Sequence, residues 1–548
     1  MISVKMFKQS IYGLVLLGGI GATGAMSARN TLPANHAGIF QQKDTSKVIH
    51  VLQAKSLVNL QTDSVVQRRF IGDVIFRQGT STLYCDSAAF DQKTNIIEAW
   101  GHVHINQADS VHTYSDILTY HGNERTAILN GNAKLTDNKI VLTSPILYYD
   151  LNTKIGTYDK GGKLVNDNTV LTSREGIYFG DTKDVHFKKE VVVVDPEFTL
   201  GTDTLYYNTE TKIATIMAPT TINDGKMIMY VTDGYYNTDL GYGHFGQRPV
   251  IEDSTNTFTA NEIETDKATG ISIAKGNMIW RDTAQKIAVL ANYGIINQGQ
   301  KSVLATQKPV TLIEGKTDTL FVRGDTLFSG VVPRLIDSAA LALKDSSGVA
   351  DSLAAKQDTT EKRFVIAYHN VRIYSDSLQG VCDSLYYSGV DSIFRLYRDP
   401  VLWASMNQLT GDSIFLFTKD RKADRILLDQ NAMIVNEVGP DLFNQIKGNT
   451  ILGYFGEEKL DSMYVNGNSE NIYYVQDDDS AFISVNRLQT ANTRVFFEKG
   501  ELERIVFVKE PEGTMYPLSQ IPEDQKKLKG FRWEIARRPK SKYELLGQ

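Results

Sequence analysis

Residues 101–133 read GHVHINQADSVHTYSDILTYHGNERTAILNGNA, and this stretch decides the fold. It opens and closes on the same phrase, Gly101-His102-Val103 and Gly131-Asn132-Ala133, with Ser115-Asp116-Ile117-Leu118-Thr119-Tyr120 between them. Leu118 and Tyr120 stand two apart, as on one face of a strand, and segments such as Ala133-Lys134-Leu135 and Ile140-Val141-Leu142 carry no 3.6-residue apolar stripe. Asn-Gly and Asp-Gly pairs such as Asn130-Gly131, Asp224-Gly225 and Asn466-Gly467 are expected to turn one strand into the next. The reading is short antiparallel strands with helix nearly absent.

Outward from this stretch both phrases recur. Gly72-Asp73-Val74, Gly276-Asn277-Met278 and Asn431-Ala432-Met433 repeat the first. Cys85-Asp86-Ser87-Ala88-Ala89-Phe90, Ser144-Pro145-Ile146-Leu147-Tyr148-Tyr149, Thr202-Asp203-Thr204-Leu205-Tyr206-Tyr207 and Cys382-Asp383-Ser384-Leu385-Tyr386-Tyr387 repeat the second. The glycines at 72, 101 and 131 are 29 and 30 residues apart, so about 12 or 13 units fit between residues 48 and 510. A unit of this size cannot bury its apolar face alone, and the units must stack around a shared core. At about 4.8 Å between strands, an array of this kind is on the order of 100 Å long.

Stacking lays Leu118, Tyr120, Leu147, Tyr149, Leu205, Tyr207, Leu385 and Tyr387 in one file. That file is either the packed core between two sheets or the lining of an apolar groove left between them. The residues are the same in both readings, and only the sheet separation differs.

The array is interrupted at 330–362 by a polar insertion rich in Ala, Ser, Asp and Lys, expected as a disordered loop or short helix. It separates a first part, 48–329, from a second, 363–510. Residues 511–548 leave the repeat, with prolines at 511, 517 and 522 and, over 523–548, eight Lys or Arg against four Asp or Glu. This basic tail is expected either as a solvated terminus or as a docking segment for a partner or membrane surface. At the other end, Lys5 and Lys8 precede the apolar run Ile11–Ala28, with small residues at Ala25, Ser27 and Ala28 for cleavage. Residues 1–28 read as a secretory signal peptide, retention as an anchor being the alternative.

Over 548 residues, 42% apolar and 22% charged residues describe an ordinary globular chain, and a net charge of −6 offers no general attraction to nucleic acid. Two cysteines make no disulfide framework, and Cys85 and Cys382 read as small buried fillers. Gly241-Tyr242-Gly243-His244-Phe245-Gly246 matches a dinucleotide fingerprint in letters only, has Pro249 close behind it, and is expected as a glycine-rich loop. Gly315-Lys316-Thr317 lacks the first glycine of a phosphate loop. His102 and His104 form at most half a metal site, and Asp477-Asp478-Asp479 lacks calcium-loop spacing. No catalytic group, metal or cofactor is read from the sequence.

The series of Gly-Asn/Asp/His-Val/Ala and Ser-Asp-x-Leu-x-Tyr blocks behind a signal peptide resembles the OstA/LptA family of periplasmic lipopolysaccharide-transport proteins. That family is shared with the N-terminal domain of LptD, and the long OstA-like form of Bacteroidota-type bacteria is the nearest in character. The resemblance runs with fading quality from about 48 to 510. It implies an elongated open β-jellyroll, two facing antiparallel sheets in a V whose apolar interior carries lipid A acyl chains, and a role as a non-enzymatic bridge in transport to the outer membrane. The implied partners are lipopolysaccharide or lipid A, other jellyroll-containing transport proteins joined by edge-strand pairing, and a second copy head to tail. The implied location is the periplasm, associated with the inner face of the outer membrane through partners. Nothing after residue 510 has the alternating ten-residue strands of an outer-membrane barrel.

The physics of such a groove is simple. An exposed acyl chain costs about 0.8 kcal/mol per CH₂, roughly 10 kcal/mol for fourteen carbons, and a continuous apolar channel removes that cost without chemistry. An exported adhesin or structural array without a groove is the alternative from another class. A polysaccharide-degrading β-helix is a third, though its coil period lies in the low twenties.

Overall fold

The computed structural model describes residues 48–61, 66–315, 318–332, 361–419, 422–456, 459–498 and 501–547. Residues 1–28, expected as a signal peptide, and most of the 330–362 insertion lie outside them. The described chain forms one antiparallel ladder in which strands pair with near neighbours in sequence. The ladder is folded lengthwise into two sheets. Ile96–Gln107 shows how: residues 96–100 pair with 117–121 in one sheet, residues 103–107 pair with 111–115 in the other, and a bulge separates the halves. We call the first the tyrosine sheet and the second the facing sheet. Strands of the tyrosine sheet begin at Ile96, Thr126, Ile155, Asp184, Ile213, Tyr242 and Ile271, steps of 30 and then 29 residues, each repeat adding two strands to each sheet. Past Asp150 several strands break in two, so that Ile155–Tyr158 and Gly162–Asn166 stay in separate sheets.

The recurring phrases are the two sides of this fold line. Gly131-Asn132, expected as a hairpin turn, is instead a bulge in the middle of the strand Thr126–Thr136, and Gly467 marks another inside Lys459–Gln476. Asp224-Gly225 does turn one strand into the next. The distinction is physical: two consecutive residues at positive φ, Gly131 at +73° and Asn132 at +47°, add one residue to one strand and bend it sharply, whether or not the chain reverses. Asp116 on the neighbouring strand covers the bend, and Asn132 Nδ2 donates to its Oδ2 at 2.9 Å. His102 with Asp86 and Asn431 with Asp412 repeat the arrangement. The glycine-rich stretch at 241–246, expected as a loop, is mostly the strand Tyr242–Gly246, because Gly243 leaves room for the Phe245 ring.

Alternate residues of both sheets point inward and form one core cluster from Phe70 to Val495. The ladder stays open at its ends. Among the described residues, His50–Gln53 and Ser56–Gln61 pair only with Val66–Gln78, leaving Val51, Leu52, Leu57 and Val58 exposed, and Glu501–Val508 and Glu512–Pro517 pair only with Phe482–Glu498. Pairing therefore continues beyond residue 510. The rest of the tail is not a solvated terminus: it runs back as a strap over the outer side of the facing sheet. Two buried glutamines hold it, each through both amide atoms. Gln445 donates to Lys526 O at 2.8 Å and accepts from Leu528 N at 2.8 Å, and Gln408 donates to Arg532 O at 2.8 Å and accepts from Glu534 N at 2.7 Å. Ile521 and Leu528 pack on Met433, Val435, Phe443 and Tyr474, and Arg323 ends the run with bonds to the carbonyls of Glu544 and Leu545. Basic charge on the tail meets acid on the body, as where Arg532 and Arg537 both pair with Asp399.

Candidate functional site

The candidate site is the space between the two sheets. Its depth is set at the fold line and its access at the far edge, where hairpin tips of the two sheets approach. In the early repeats that edge is tied by a second periodic series. Tyr120 in the tyrosine sheet donates to Gln78 Oε1 in the facing sheet, and Gln78 Nε2 donates to Gly122 O at 2.8 Å. One repeat on, Tyr149 donates to Gln107 Oε1 at 2.6 Å and Gln107 Nε2 reaches Leu151 O. Next, Tyr178 donates to Asp137 Oδ2 at 2.8 Å, and then Asn166 Nδ2 donates to the Tyr207 hydroxyl at 3.2 Å and to Thr209 O at 2.9 Å. Each polar side chain satisfies a buried phenol and ties the two sheets together. Burial pushes the Tyr120 phenol up to about 12, so it remains a donor at any physiological pH.

Asp137 is the one carboxylate of the series. Burial raises its pKa, but hydrogen bonds from Lys183, Tyr178 and the backbone N–H groups of Ile140 and Lys139 outweigh this and hold it below the usual carboxylate range. Lys183 Nζ lies 2.6 Å away, and the Asp137 side chain is only 2% exposed. The series then changes character: Tyr236 is buried against Phe198, and further on Arg363 Nε binds Asp282 Oδ2 at 2.6 Å with its guanidinium over Trp280.

Of the eight residues in the file read from the sequence, Leu118, Tyr120, Leu147, Tyr149, Leu205, Tyr207 and Leu385 are buried in the common core. Tyr387 packs at its margin and lines an open cavity. Tyr120 borders a small space of about 280 Å³ in the first repeats. The file therefore meets only a small space in the tied part, beside Tyr120, and a larger opening later, at Tyr387.

Three larger cavities follow along the far edge. The first, about 1300 Å³, is lined by Phe258, Trp280, Ile296 and Val303 but also by Asp253, Asp282, Lys301 and Arg363. The next, about 1090 Å³, lies between Ile313, Leu320, Leu378 and Ala404 of the facing sheet and Tyr387, Phe394, Leu416 and Leu460 of the tyrosine sheet. The last, about 1330 Å³, adjoins it at Ser405 and Asn407 and is walled by Ile434, Ile446, Met463, Ile472, Val495 and Ile505. These volumes include the open mouths. The sites are concave and mostly apolar with polar rims, the form of a site for an apolar ligand.

Sequence reading missed Gln78, Gln107, Asp137 and Asn166, although their spacing of 29, 30 and 29 residues was visible once the repeat was known. The imidazoles do not pair as half a metal site: His102 turns to Asp86, while His104 stacks on Tyr114 and meets His112 Nδ1 at 3.1 Å. Both cysteines are buried, and burial pushes the Cys85 and Cys382 thiols up to about 12, which removes their nucleophilic form. Among the described residues no group of three or more metal-ligating side chains is found, and no helix is long and apolar enough to cross a membrane.

Residues 46–203 match the family described as OstA-like protein. No curated protein matches the chain. Among solved structures, the chain is similar to the crystal structure of LptH, the LptA homologous periplasmic component of the conserved lipopolysaccharide transport device from Pseudomonas aeruginosa. Identity is 21%, over 21% of this chain and 82% of that one, with a TM-score of 0.19. The matched residues 46–203 are those of the bulged and tied repeats, and over them the chain is similar to the OstA-like family.

Proposed function

We propose that the protein is a periplasmic carrier of the lipopolysaccharide-transport type, holding acyl chains in the apolar space between its two sheets on their way to the outer membrane. The observation that carries this reading is the series of apolar cavities opening along the far edge of a two-sheet array whose first repeats are OstA-like. No covalent chemistry is involved, and the work done is shielding. The Leu/Tyr file lines that interior, and the end strands at 50–61 and 501–517, paired on one side only among the described residues, serve as junctions for other jellyrolls or for a second copy. The signal peptide delivers the chain to this compartment.

Mass spectrometry of lipids extracted from protein purified out of the periplasm tests the reading. Acylated glycolipid recovered in near-stoichiometric amount supports it, and protein free of lipid after gentle purification favours the structural-array alternative.

A further inference from the structure

The tied and the open parts of the array differ in more than packing. The amide–tyrosine series runs from Gln78 to Asn166 at repeat spacing, and Arg363 with Asp282 ties the edge once more. The two large cavities with the fewest charged lining residues lie past that point and adjoin each other at Ser405 and Asn407, outside the OstA-like segment. Behind them runs the C-terminal strap. Its anchors Arg323, Gln379, Gln408, Gln445 and Arg487 belong to the same stretch of facing sheet that walls these cavities on the inside.

This coincidence has a physical reading. Apolar walls with a gap between them forfeit contact energy, which favours collapse of one sheet onto the other unless something braces them apart. A strap hydrogen-bonded through two buried glutamines, and packed through Ile521, Leu528 and Trp533, braces the facing sheet from outside and keeps the gap open. The opening is thus a built feature.

We propose that the adjoining cavities between residues 313 and 505 are the acyl-binding site of this chain. It takes one hydrocarbon chain of an amphiphile from the side, with the head group left at the hydroxyl- and amide-bearing rim of Ser375, Ser377, Ser405 and Asn407, while the tied repeats serve as a sealed spacer. This rests on the carrier reading above and names the segment that carries it out.

Photolabelling of the full chain with a 16-carbon fatty acid bearing a diazirine, mapped by mass spectrometry, tests the site. Adducts are expected on 313–505. Ala404→Trp and Ala423→Phe, which fill the cavity from opposite sheets, should each lower labelling about tenfold, while Gln107→Leu in the tied part leaves it within about twofold; a melting curve checks that each variant is folded. Saturable labelling concentrated on 78–209, or labelling indifferent to both filled variants, overturns the site and leaves the carrier reading standing. Absence of saturable labelling anywhere overturns both.

Discussion

The carboxylate of Asp116 occupies the space that a side chain on Gly131 would need, its Oδ2 lying 2.6 Å from where a Cβ would stand. The same relation joins Asp86 to Gly101, and Asn449 to Gly467 at 2.5 Å. The acidic or amide residue of one phrase and the glycine of the next are therefore two halves of a single lock on the fold line.

Gly131→Ala accordingly meets two obstacles, a φ of +73° and the Asp116 carboxylate, and should lower stability by about 1–2 kcal/mol from the backbone alone, with the clash added. Gly225→Ala, at φ +82° in open space, meets only the first. Urea denaturation of the two variants should rank Gly131→Ala as clearly the more damaging, and equal losses would remove the clash from the account.

The edge ties can be cut singly. Gln107→Leu leaves both the Tyr149 hydroxyl and the Leu151 carbonyl without their partner and should destabilise the protein by about 1–3 kcal/mol, whereas Tyr149→Phe orphans a single group, Gln107 Oε1, and should cost less, about 1 kcal/mol. Hydrogen exchange should show faster opening around 105–151 in the first variant.

Asp137 makes one tie pH-dependent. Its folded pKa lies below the unfolded value of about 3.9, so its contribution is fully present above about pH 4 and is lost as pH falls through the folded value. Asp137→Asn should lose about 2 kcal/mol at pH 7 through the weakened bonds from Tyr178 and Lys183, and its deficit against the natural chain should shrink in acid. Denaturant midpoints for both proteins between pH 7 and pH 2.5 measure this, and a deficit constant across that range would refute it.

The strap predicts a local effect. Gln445→Leu strips partners from Lys526 O and Leu528 N, and should raise proteolytic cleavage of 518–547 and exchange in 433–487 while leaving 96–208 as protected as before. A variant protected throughout would show that the glutamine bonds are not what holds the strap.

What the sequence determined by itself is local and periodic. Alternation at Leu118 and Tyr120 specifies strands, and the 29- to 30-residue return of Gly-Asn/His and Ser-Asp blocks specifies stacking, because both depend on residues close in the chain. The tertiary structure alone decided whether Gly131-Asn132 reverses the strand or bends it, since positive φ at two residues serves either outcome and only pairing on both sides chooses. It also decided which stretch of the Leu/Tyr file is sealed. That depends on Gln107 meeting Tyr149 across 42 residues and on Gln408 meeting Arg532 and Glu534 across more than a hundred, contacts between opposite sheets or between a sheet and a returning tail that no local spacing encodes.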